Sequence, residues 1–420
     1  MAVATQQIET ITFRRTRIGY GITLIIFSLL ILLAFGLNTS GTARTVFGMN
    51  LAESQAIRIP DLTVPSQAVI YACALILAFL GAFQLARGIH STGALAGVIA
   101  LAFVTAFLTW AAADKSFNLV GMLNTSLVRA TPIALAALCG VISERSAVIN
   151  IGIEGMMLLS AQSAVVIGTL TGSLTLGLFA ALIAGALIAA LHAVLVIRFK
   201  VDQVVSGVAI NIFGTGVTSF ISSRFLEKNT DMLNNSGTFP SISLPLLSKI
   251  PVLGPVLFEN NLIIYLTILL VIVLHVMLFY TPWGLRTRAV GEHPKAADTL
   301  GVNVYLVRYV NVIIGGMIAG LGGAYFTIGS VGRFDEIMTA GKGFIGLAAM
   351  IFGKWNPLGA YASSMIFGFA DSLQVKLQIL RVPIPSEFLL MVPYIVTMIV
   401  LTGVVGRAVA PAADGEAYEK

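Results

Sequence analysis

Of the 420 residues, 57% are hydrophobic and 10% are charged, whereas a soluble domain carries about 25% charged residues. With a mean hydropathy of +0.94, such a chain cannot cover a water-facing surface, which excludes a soluble enzyme and predicts an all-α, polytopic helical membrane protein. The net charge of +6 lies in no basic run interleaved with aromatics, so it fits an anionic membrane face, and nucleic acid is not an expected partner.

The first apolar run, Ile18 to Leu37, follows Arg14, Arg15 and Arg17. It resembles a signal peptide, but about 20 apolar residues is too long for one, and it reads as a retained span. Spanning segments need about 20 apolar residues. The runs that qualify or nearly qualify are 18–37, 68–86, 91–113, 120–142, 155–171, 174–197, 203–225, 261–282, 309–328, 341–353, 356–374 and 387–406. This predicts roughly 10–12 segments. The run 341–353 is too short to cross alone unless it is partly re-entrant or thins the bilayer around it. The stretches 146–155 and 203–215 are rich in Gly and polar residues, so broken or re-entrant helices are expected there, buried in protein or lining a cavity.

With the N-terminus inside and alternating crossings, Arg145, Arg198, Lys200, Arg286, Arg288, Lys295, Lys354 and Arg407 join Arg14, Arg15 and Arg17 on the cytoplasmic side. That bias predicts both termini in the cytoplasm of a bacterial-type inner membrane. The domain plan is then a segment 1–17, a transmembrane domain 18–406 with an external loop 226–260 and a cytoplasmic loop 283–308, and a tail 407–420. The tail, "APAADGEAYEK", is small and polar and is expected to be disordered.

Polar residues at depth are the candidate site. In "ISERSAVINIGIEGMMLLSAQ", Ile142 to Gln162, Glu144 and Arg145 fall at the inner end of the fourth span, where snorkelling satisfies them. Gly152 and Gly155 loosen the backbone that follows. Glu154 falls in a first helical turn, where a carboxylate suits the positive end; alternatively, Asn150 and Glu154 face a central cavity. In "DQVVSGVAINIFGTG", Gln203 and Asn211 join them as candidate pathway residues. Arg129 and Asp371 read as gate charges, interface charges or a pair across helices. His192 and His275 read as hydrogen-bonded structural groups. Cys73 and Cys139 read as small core residues, with no CxxC pair and no expected metal or cofactor. Gly316 and Gly320, four apart, suit close helix packing.

The stretch "GEHPKAADTLG" has the pattern of one short helix. Pro294 suits the first position and Gly301 the left-handed residue that ends a helix. Ala296, Ala297 and Leu300 are expected on one face. A helix this short is marginal in water, so it needs a surface, either its own membrane domain or a groove on a cytosolic partner.

"TPWGLRTRAVG" followed by "VGEHPKAADTLGVNV" resembles the coupling loop of permease subunits of ATP-binding-cassette importers. "RSAVINIGIEGMMLLSA" and "GLAAMIFGKWNPLGAYASSMIFG" resemble the subgroup that carries nucleosides and simple sugars, related to branched-chain amino acid and ribose permeases. The resemblance covers roughly 120–406. It implies that Glu292, Pro294, Ala297 and Gly301 contact a cytosolic ATPase, that a second permease subunit completes the core, and that an extracytoplasmic solute-binding protein delivers substrate. The chain has no G-x-x-x-x-G-K-[ST] loop, since "TAGKG" at 339–343 lacks the hydroxyl after Lys342. ATP hydrolysis is therefore expected in another chain. The alternative is an ion-coupled secondary transporter.

Overall fold

The computed structural model describes residues 17–51, 57–89, 92–382, 384–385, 387–388, 391 and 408–420. The expected segment 1–17, apart from Arg17, and most of the expected span 387–406 lie outside the described residues. Among those described, nine helices are long and apolar enough to cross a membrane. They form two compact units, one built mainly from the chain up to Met122, the other from Leu123–Leu373 with the C-terminal tail.

The first unit contains α1 (Arg17–Gly36), α2 (Ser66–Ala86) and α3 (Thr92–Ala111). Leu24, Ile31, Ile70 and Leu77 are buried between them. Rings fill much of this core, with Phe35 beside Phe103, Phe107 and Trp110. At the ends of the helices β1 (Arg44–Gly48) lies between β2 (Leu62–Pro65) and β3 (Ser116–Asn118). The β1–β2 pair is antiparallel, with Thr45 opposite Val64. The β1–β3 pair is parallel, with Val46 opposite Ser116.

In the second unit, α4 (Leu119–Glu144) carries Pro132 inside the helix. It is followed by α5 (Ile153–Thr171), α6 (Leu174–Ala193) and α7 (Gln203–Ile221). Short helices α8 (Thr230–Leu233) and α9 (Leu253–Leu257) lie in the expected external loop, where β4 (Ser241–Ser243) pairs antiparallel with β5 (Glu259–Asn261). Then come α10 (Leu262–Tyr280), α11 (Pro282–Glu292), α12 (Pro294–Thr299), α13 (Val304–Phe326), α14 (Lys342–Phe352) and α15 (Pro357–Ile379). The short run at 341–353 is thus an 11-residue helix, about 16 Å long at 1.5 Å per residue. That is half a bilayer, as a partly re-entrant segment requires.

Packing here relies on small residues. The buried face of α7 is Gln203, Ser206, Gly207, Ile210, Gly214 and Thr218, while Val205, Ile212, Phe213 and Phe220 point outward. This inverts the soluble pattern, because lipid is as apolar as a leucine and close approach of backbones does the work. The same holds for α6 and α13. A Cβ on Gly316 would lie 2.2 Å from the Ala189 Cβ, and one on Gly320 would lie 2.4 Å from the Ala181 carbonyl.

Three expectations are corrected. The stretch 203–215 does not break: it is the first part of α7, continuous from Gln203 to Ile221 and capped by Asp202, and its glycines serve close packing instead. The tail is not disordered: Pro411, Ala413 and Tyr418 are buried, because the Tyr418 ring fills an apolar cluster with Val290, Ala297, Val304 and Val307. Nor does Glu144 snorkel into solvent. It is 5% exposed and accepts from the Trp355 indole at 2.6 Å.

Candidate functional site

The α4–α5 connection leaves the Arg145 end of the unit and rises as non-helical chain to Ile153. Its buried backbone groups need partners, and the polar residues singled out in the sequence supply them. Gln203 Oε1 accepts from the Ile149 amide at 2.6 Å. Asn211 Nδ2 donates to the Ile151 carbonyl at 2.9 Å, and its Oδ1 accepts from the Gly155 amide at 2.8 Å. His192 bridges Ser206 and the Ile149 carbonyl at 2.9 and 3.0 Å. Asn150 is fully buried, with Nδ2 only near the Cys139 and Met156 sulfurs and Oδ1 without a hydrogen bond. Gly155 is required by contact, since a Cβ there would sit 2.5 Å from the Ile210 carbonyl.

Glu154 lies at the start of α5, but the positive helix end it serves belongs to α14. Its Oε1 accepts from the Thr339 hydroxyl at 2.5 Å and the Gly341 amide at 2.8 Å, and its Oε2 accepts from the Gly343 amide at 2.7 Å. A half-span begins at depth with unpaired amides and a positive dipole end, and this carboxylate satisfies both. Gly341 starts the helix with φ +77°, a left-handed conformation that glycine adopts without strain. Gly346 and Met350 of α14 pack on Ala136 and Gly140 of α4. The clasp is therefore level with the region around Pro132, roughly 18 Å along α4 from Glu144.

Beside the clasp, Asp371 Oδ2 accepts from Arg129 Nη1 and Lys342 Nζ, each at 2.9 Å. The sequence left a pair across helices as one reading of Arg129 and Asp371, and the structure makes that pair and adds Lys342. The side chains of Arg129, Asp371 and Lys342 are 34%, 15% and 19% exposed. Charges at such depth face protein or water rather than hydrocarbon.

The Arg145 end holds a second cluster. Arg145 Nε donates to the Trp355 carbonyl at 2.8 Å. α12 folds as the sequence predicted, with Pro294 at the first helical position and Gly301 at φ +82°, whereas the preceding helix α11 was not foreseen. The faces of α12 differ from expectation. Ala297 is 3% exposed and packs inward, while Leu300 is 85% exposed. Glu292 is exposed and accepts from the Ala412 amide at 3.3 Å. The large apolar side chain that α12 presents is therefore Leu300, joined on α11 by Leu285 at 63% exposed; the signal for Leu300 in the sequence was an apolar residue just before the terminating glycine. Burial pushes the Asp414 carboxyl, which faces Glu144, up to about 6 against the opposing pull of Arg308.

Among the described residues, no group of three or more His, Cys, Asp or Glu side chains is placed to hold a metal.

The profile of the family described as branched-chain amino acid transport system / permease component matches residues 122–401. The guanosine ABC transporter permease protein NupQ of Bacillus subtilis is 44% identical over 308 residues, covering 70% of this chain and 95% of the relative. The nucleoside ABC transporter permease protein NupC of Lactococcus lactis is 43% identical over 305 residues, with the same shares. TsgC13 of Haloferax volcanii, provisionally named a glucose ABC transporter permease protein, is 36% identical over 262 residues, covering 61% of this chain and 78% of the relative. No solved structure matches.

Proposed function

Since the chain belongs to the branched-chain amino acid transport system permease family, we propose that it forms the membrane route for a nucleoside in an ATP-binding-cassette importer. A separate cytosolic ATPase drives it, an extracytoplasmic solute-binding protein feeds it, and a second permease subunit, identical or homologous, completes the core. Both termini then lie in the cytoplasm, and the Arg145 end of the second unit faces the ATPase.

The observation that carries this reading is the α11–α12 segment. It is a short capped helix outside the long apolar helices, ending in a leucine that is 85% exposed. An apolar side chain held out in water on a defined helix end suits a pocket on another protein. Glu292, Pro294 and Gly301 contribute by shaping the segment, and Ala297 by anchoring it from beneath.

The route runs past Arg129, Lys342 and Asp371. Their partial exposure at depth supports a face covered by the second permease subunit and wetted by the pathway rather than turned to lipid. Asn150, Glu154, Gln203 and Asn211 act one layer back, holding the broken segments that shape this face. Nucleoside ranks above simple sugar because the two nucleoside-named relatives match over 95% of their own length. Ion coupling is the weaker reading, because Glu154 is committed to the α14 amides and Asp371 to two cations.

The test is reconstitution with a cognate ATPase, binding protein and second permease. Uptake of labelled guanosine is expected only with the full set and ATP, with unlabelled nucleosides competing and glucose not. Uptake by the chain alone, or uptake that survives ATP removal and collapses with an ionophore, would overturn the importer reading. Competition by glucose alone would replace nucleoside with sugar.

A further inference from the structure

The tail at 411–420 makes contacts that its composition does not suggest. The Ala413 amide donates to the Gly291 carbonyl at 2.9 Å, and the Ala412 amide to Glu292 Oε2 at 3.3 Å. Both bonds clamp the end of α11. Tyr418 is 5% exposed and packs in the cluster that also holds Ala297 of α12, with its ring 5.3 Å from that of Tyr305. Lys420 reaches Asp298 at 3.5 Å, and Glu419 pairs with Lys200 at 2.5 Å.

The same ten residues grip the membrane side. A Cβ on Gly415 would lie 2.8 Å from the Ile149 Cδ1, so the tail rests on the broken α4–α5 connection. Asp414 faces Glu144 at the end of α4. Arg308 of α13 is 2% exposed, and its Nη1 donates to the Glu416 carbonyl at 2.9 Å. The carboxylates acting on it are Asp414 and Glu416. A buried cation without such partners is strongly destabilising. The tail is therefore a built part of this end.

We propose that residues 411–420 are a transmission strap. They tie the α11–α12 segment to the 145–151 connection, so that movement of the first displaces the second. This rests on the importer reading, in which the ATPase moves α12. The physical need is plain: α12 has six residues, too few to hold a position by itself. From the 145–151 connection the path runs to Glu154 and so to the N-terminus of α14. The positioning residues are Ala413, Asp414 and Tyr418.

The test compares the wild type with a chain ending at Ala410, with Tyr418→Ala and with Tyr418→Phe. All are assembled with the ATPase, binding protein and second permease. In the shortened chain and in Tyr418→Ala, amide exchange of 145–151 and 286–301 is expected to rise at least tenfold, while α5 and α13 stay protected. The ATPase is expected to remain bound and to hydrolyse ATP within twofold of wild type, and guanosine uptake to fall at least tenfold. Tyr418→Phe keeps the ring and is expected to behave as wild type. Unchanged uptake or unchanged exchange overturns the strap. So does release of the ATPase, which would make the tail a docking surface. Wild-type uptake without any ATPase is read in a separate arm and sinks the importer reading instead.

Discussion

Among the described residues, the two units differ in that only the second contains spanning helices that are mostly buried. In the first, only 28% of the most apolar stretch of α2 is buried, at a hydropathy of 2.2. In the second, 83% of the corresponding stretch of α4 and 78% of that of the helix begun by α13 are buried, both at the lower hydropathy of 1.7. α10 confirms the trend inside the second unit, with the highest hydropathy, 2.9, and only 33% buried. High apolarity here goes with an outward-facing helix, though the helix begun by α7 is as little buried, 28%, at a hydropathy of only 1.7; packing is reported by Gly, Ala and hydrogen-bonded polar residues. The first unit fills its core with the Phe35, Phe103, Phe107 and Trp110 rings; the second lets backbones touch at Gly316 and Gly320. The family match begins at residue 122, where the second mode begins.

The sharpest way to break this contrast is one substitution made twice. Gly316→Leu drives a side chain into Ala189 and the Gly185 carbonyl and is expected to abolish recovery of monodisperse protein in detergent. Gly97→Leu, where nothing lies within 4 Å of a Cβ, is expected to leave recovery unchanged. Next is the pair Leu300→Asp and Leu75→Ala. Both leucines are exposed, at 85% and 69%, but Leu75 lies within the span α2. Leu300→Asp is expected to cut uptake at least tenfold with an unchanged melting temperature, and Leu75→Ala to change neither.

A smaller effect separates the Glu154 clasp from ordinary packing. Glu154→Ala leaves three donors unpaired and is expected to cost about 3 kcal/mol, read as a lowered melting temperature, with Glu154→Gln recovering part of it. The smallest effect is pH dependence of the tail. The Asp414 carboxyl is raised to about 6 by burial, facing Glu144 of α4 and Arg308 of α13. A raised carboxyl favours docking while protonated, so its contribution is complete below the unfolded value near 4 and is lost as pH rises through about 6. Exchange of the tail amides, corrected for intrinsic rate, is expected to rise up to about tenfold between pH 5 and 8 in the wild type and to rise less in Asp414→Asn.

Much of the α12 segment was legible, because Pro294 and Gly301 act through local backbone geometry and local rules carry over directly. Which way its side chains face was not legible. Ala297 turns inward because Tyr418, more than a hundred residues later, helps to build the cluster beneath it. Glu154 was read correctly as a carboxylate at a helix start, but the helix it serves begins at Lys342. Asn211 and Gln203 stood out as polar residues at depth. Their partners, the amides and carbonyl of 149–155, come from a segment some fifty residues away.

Taken alone, the sequence determined that this chain lives in a membrane, roughly where it crosses, that the stretch at 146–155 breaks, and that a short capped helix leaves the spans. These follow from composition, run length and residue-specific backbone preferences, all of which are local. Only the tertiary structure decided that the Glu154 carboxylate holds α14, that Asp371 gathers two cations, and that a small polar tail straps α11 and α12 to the broken connection. Each of those depends on which buried polar group meets which unpaired partner, and that is set by the packing of helices distant in the chain.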